Sequence, residues 1–114
     1  MAVRMPRVSI ERQDRIEEVA EAAIASGPNM LVPWYLILSY AYYLYDESLV
    51  SDAFYDHLCA SLLDALDQFL IDHHHAHLCD VEALRAGTGH HLREEDYPSI
   101  TKDVAQGMML GRYP

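Results

Sequence analysis

Sixteen consecutive residues without a charge, "MLVPWYLILSYAYYLY" at 30–45, decide what the rest of this chain must do. A helix apolar on all sides has to be covered on all sides, so the flanking segments are expected to wrap it. The stretch is shorter than the roughly 20 apolar residues of a spanning helix, and it contains Pro33 and several tyrosines. The expectation is a buried central helix and no membrane span. Pro33 suits its first turn, where a missing N–H has no intrahelical partner to lose. The helix should run to about Tyr45 or Asp46.

The segments on either side have helical patterning. "SIERQDRIEEVAEAAIASGP" predicts a first helix capped by Ser9, with acidic residues early and an apolar stripe of Ile16, Val19, Ala20, Ala23 and Ile24. Gly27-Pro28 should end it, with glycine at the C′ position. After the polar break "DESLVS", Ser51 or Asp52 is a natural N-cap for another helix. Phe54, Leu58, Cys59, Leu62, Leu66 and Phe69 then recur at three- and four-residue steps. The short connection predicts an antiparallel helical hairpin of about 33–46 and 52–70. Beyond Leu70 the regularity fades, leaving short helices at Val81 to Arg85 and about Ser99 to Leu110, separated by "GTG". The expected architecture is a single all-α domain, 1–114, with the hairpin packed against an N-terminal helix and an irregular C-terminal segment.

Charge limits the partners. The formal net charge is −10 and Lys102 is the one lysine, so no basic cluster exists to displace counterions from nucleic acid or to seek an anionic membrane. A basic protein partner or a ligand with a cationic part is compatible. Cys59 and Cys79 are expected to stay reduced, and no apolar signal segment comes after the first basic residues, so a cytoplasmic setting is expected.

The hairpin turn concentrates aromatic rings and carboxylates. Tyr42 and Asp46 share one helical face, and Asp52, Tyr55 and Asp56 share another, so an antiparallel turn brings the two groups together. Such a cluster suits a planar aromatic cation, with rings to stack on it and a negative field to favour its charge. Oxidised nicotinamide is one such group. The same residues also serve simply as caps and as cover for the core.

"YYLYDESLVSDAFYDHL" resembles the N-terminal Ia domain of bacterial NAD-dependent DNA ligases, over roughly residues 33 to 66. The pattern is carried by Tyr42, Tyr43, Asp46, Val50, Ser51, Asp52, Ala53, Tyr55, Asp56 and Leu58. The resemblance implies a helical hairpin that binds NMN or NAD, with Tyr42, Tyr43, Asp46, Asp52, Tyr55 and Asp56 as ligand-binding positions. Ser48 stands where the family has proline, and Phe54 where it has an acidic residue. The KxDG motif is absent, since Lys102 is followed by Asp-Val-Ala, so the covalent nucleophile of a ligase is missing. "LRAGTGHHLREEDYPSI" resembles the ending of small stand-alone proteins from tailed phages, which implies a viral origin.

"IDHHHAHLCD" is the second unusual stretch. Extended, it would point His73, His75 and His77 to one side, as a three-imidazole zinc site requires. In a helix His73 and His77 would pair instead, and Cys79, Asp80, His90 and His91 could complete either set. No HExxH spacing, nucleophile motif or phosphate loop is present, so no enzyme is expected from this chain alone. Three readings remain: a nicotinamide-nucleotide module serving a separate enzyme, a scaffold that binds another protein, and a histidine-rich metal binder.

Overall fold

A computed structural model describes residues 8–112, and within them the chain is all-α, with no strand. Five helices form it: α1 (Ile10–Ser26), α2 (Leu31–Tyr45), α3 (Asp52–Asp67), α4 (Val81–Ala86) and α5 (Ser99–Met109). Short 3-10 turns occupy Pro28–Met30, Ala76–Leu78 and Glu94–Asp96. No described helix is long and apolar enough to cross a membrane.

The charge-free segment is the central helix. Leu31, Val32 and every residue from Trp34 to Ala41 are buried on α2. Helix α5 gives it the most extensive cover and α3 the next. Ile16 and Ala20 of α1 enter the same core, together with Leu58, Cys59 and Leu62 of α3 and Ala105, Met108 and Met109 of α5. Arg12 of α1 donates to the Met108 carbonyl, which ties the first helix to the last.

Helices α2 and α3 are antiparallel. Ser39, in the middle of α2, meets Tyr55 in the first turn of α3, whereas Asn29, just before α2, meets Asp72, just after α3. The caps obey the sequence in part. Ser9 and Ser51 each accept an N–H from the third residue on, Arg12 and Phe54. Gly87 closes α4 in the left-handed region at φ 71°, as expected of "GTG". Gly27 does not use glycine's special freedom: its φ of 169° is extended backbone, and α1 ends because the chain tightens into the 3-10 turn that begins at Pro28.

Two expectations for apolar residues are corrected. Helix α3 stops at Asp67 rather than near residue 70, because Phe69 takes the left-handed conformation at φ 57° and Leu70 N–H closes onto the Ala65 carbonyl. Phe69 therefore leaves the stripe and is 94% exposed. Val19 also lies off the buried face of α1.

Candidate functional site

The turn between α2 and α3 is built by backbone geometry and then held by α1. Asp46 takes the left-handed position at φ 54°, its N–H on the Tyr42 carbonyl and that of Glu47 on the Ala41 carbonyl, a Schellman closure. Gln13 and Glu17, one turn apart on α1, grip the 48–51 segment. Gln13 Nε2 donates to the Ser48 carbonyl at 2.8 Å, and Glu17 Oε2 accepts the Ser51 N–H at 2.8 Å. Leu49 and Val50 are buried beneath, and the buried Glu47 carboxylate accepts the Val8 N–H at 3.4 Å.

Above this fixed turn lies a cleft of about 220 Å³. Tyr42, Tyr43, Asp52, Tyr55 and Asp56 line it, together with Leu38, the 48–51 segment and Gly87. Five of the six predicted ligand positions thus share one concavity. The sixth, Asp46, is exposed and caps α2 without lining the cleft. Tyr42 forms an exposed lip and meets Tyr43 edge-on, with ring centroids 4.9 Å apart. Asp52 and Asp56 are exposed residues. Among the described residues, neither arginine nor lysine lines the cleft, and Arg85 instead pairs with Glu82 at 3.4 Å.

The tyrosines are differently constrained. Tyr55 is a fixed wall, stacked on Tyr35 with centroids 6.2 Å apart and sharing a hydrogen bond of 2.7 Å with Ser39 Oγ. Burial raises its phenol well above the ordinary range, and the Ser39 bond offsets only part of this. Burial also raises the Tyr43 phenol, whose hydroxyl accepts a hydrogen bond from the Gly89 backbone.

The "AGTG" segment, far along the chain, is the clasp on this site. Tyr35 donates to the Thr88 carbonyl at 2.7 Å, and Gly87 sits against the Asp56 carboxylate. Gly89 is buried against Ser39 and the Tyr55 hydroxyl. The segment packs beside the cleft and leaves it open. Sequence reasoning missed Ser39, Gly89 and the Gln13–Glu17 grip. Only the i, i+4 spacing of the last pair was a signal.

The histidine run is not extended. It turns at 74–75 and enters the 3-10 turn, so alternate residues do not align. The residues brought together are His73, His74 and His75, with one ring nitrogen from each lying within 4.8 Å of the others. His77 lies apart from that group, its ring 6.5 Å from that of His75 and its Nδ1 on the His74 carbonyl. Burial and then neighbouring imidazoles lower the pKa values of His73 and His75. Cys79 faces the interior, where burial pushes its thiol up to about 12. No protein-family model, curated protein or solved structure matches the chain.

Proposed function

We propose that the hairpin cleft binds the nicotinamide end of a nucleotide such as NMN or NAD, and that the chain is a binding module rather than an enzyme by itself. The observation that supports this is the open cleft, lined by Tyr42, Tyr43, Tyr55, Asp52 and Asp56 although the clasp packs beside it. At about 220 Å³ it is smaller than the roughly 300–1,000 Å³ of clefts that enclose drug-sized ligands. One aromatic ring with part of a sugar fits, and the remainder of a dinucleotide must lie outside. The positive ring meets aromatic walls and two carboxylates, whereas a phosphate would find no cation in the lining.

That asymmetry supplies the test. Calorimetric titration should give saturable binding of nicotinamide riboside at least as tight as that of NMN, because the phosphate adds only repulsion. Asp56→Asn should weaken both by about tenfold, the equivalent of one moderately screened charge contact. Absence of binding at millimolar riboside and millimolar NMN would end the proposal.

A second reading, a scaffold that docks another protein, is favoured by a separate surface. Phe69, almost wholly exposed, borders a shallow groove formed with Leu63, Leu66 and Val81. If that surface is the working one, Phe69→Ser should abolish partner binding while leaving the cleft unaltered.

A further inference from the structure

We infer that His73, His74 and His75 form a divalent-metal site of the zinc class, separate from the hairpin cleft. Helix α3, about 24 Å long at 1.5 Å per residue, lies between the two sites. The three residues are consecutive, and consecutive side chains of an extended or helical backbone diverge. Here the chain turns, and one nitrogen from each ring falls within 4.8 Å of the other two. The rings of His73 and His74 are stacked 4.7 Å apart at 16°, and those of His74 and His75 approach to 3.9 Å.

The backbone that presents these rings is tied down. Asn29 grips the Asp72 peptide on both sides, donating to its carbonyl at 2.9 Å and accepting its N–H at 2.6 Å. The carbonyls of His73 and His75 accept N–H groups from Ala76 and Leu78, both at 3.0 Å. The His77 ring is bonded to the His74 carbonyl at 3.0 Å. All three backbone carbonyls of the cluster are therefore engaged.

The nitrogens must close from within 4.8 Å of one another to a coordinating spacing. Around a tetrahedral ion with metal–nitrogen bonds of about 2.05 Å, ligand nitrogens are about 3.4 Å apart. His74 is exposed and free to swing inward, while His73 and His75 are half-buried and better fixed. His73 Nδ1 accepts the His75 N–H at 3.0 Å, which helps to fix that ring. Three neutral imidazoles suit zinc and its late first-row neighbours rather than calcium or magnesium. They leave a fourth position to solvent, and the formal net charge of −10 favours a cation throughout.

The test is titration of untagged protein with zinc chloride against a chromophoric chelator, with cobalt(II) as the spectroscopic substitute. One zinc per chain is expected, with a tetrahedral cobalt spectrum and zinc-dependent shifts of the imidazole proton signals of His73, His74 and His75. His74→Ala, at an exposed position, should keep the fold and weaken zinc at least about tenfold, since even groups that only support a ligand cost 10–100-fold. His73→Ala and His75→Ala should do the same, and His57→Ala, at an exposed position on α3 outside the cluster, should leave affinity within twofold. Zinc binding that does not saturate at one per chain would overturn the proposal. So would binding that survives His74→Ala, or that falls as far with His57→Ala as with His73→Ala.

Discussion

Gly89 stands so close to Ser39 that a Cβ at position 89 would come 2.5 Å from the Ser39 hydroxyl and 2.8 Å from its Cβ. The two residues belong to the clasp and to the middle of α2, and both are buried. Gly89→Ala is therefore expected to force the clasp away from α2, at a cost of about 1–3 kcal/mol of stability. Ser39→Ala should not rescue it, because the Cβ contact remains. Chemical denaturation of the single and double variants measures both, and a Gly89→Ala protein as stable as the parent would show that the clasp is not seated as described.

What the sequence made legible was whatever a local rule decides. The charge-free stretch had to become the covered helix α2, Ser51 was a sound N-cap, and Gly87 a sound stop. The cleft residues were legible because they sit at the two helix ends that an antiparallel hairpin joins. The Gly89–Ser39 contact was not, since the chain offers no pattern for two surfaces that meet only after folding. Phe69 fits the α3 stripe by spacing, yet the Leu70–Ala65 closure requires a left-handed residue at that position. The histidine alignment was not legible because the run turns at 74–75, and Asp72 before it is anchored by Asn29, far away in sequence.

Two tyrosines, the half-buried Tyr55 and the buried Tyr97, make opposite predictions for the same chemical change. The Tyr55 hydroxyl is bonded to Ser39 Oγ, so Tyr55→Phe leaves a buried hydroxyl without its partner and should cost about 1–2 kcal/mol. The Tyr97 hydroxyl is buried with no partner among the described residues. Tyr97→Phe removes that unmet desolvation and should be neutral or stabilising by up to about 1 kcal/mol. Thermal melts of the two variants settle the comparison, and equal losses would contradict it.

Phe69 combines two unfavourable features, a left-handed backbone and an apolar ring left in water. Phe69→Gly relieves the left-handed conformation, worth roughly 1–2 kcal/mol, and returns part of that as unfolded-chain entropy. The net expectation is a gain of about 0.5–1 kcal/mol with helix content unchanged. A loss of stability would mean that the ring is packed and α3 continues through it.

Alkaline pH should unfold this protein through groups that the core keeps protonated. Burial pushes the Cys59 thiol up to about 11 and the Cys79 thiol to about 12, from an ordinary 9.0. It pushes the Tyr40 phenol to about 12 and those of Tyr35, Tyr55 and Tyr97 further still. The folded pKa values are raised, so the folded state holds protons that the unfolded state releases. Stability from these groups is complete below about pH 9 and declines as pH rises through the folded values. Melting temperature should thus be steady from about pH 7 to 8.5 and fall progressively towards about pH 11. Below about pH 9 both thiols should react slowly with a disulfide reagent until the chain unfolds. Tyrosinate absorbance from the buried phenols should rise in the same step that loses helical ellipticity. A melting temperature unchanged at about pH 11, or tyrosinate that forms well before helix is lost, would mean that this core admits water to its phenols.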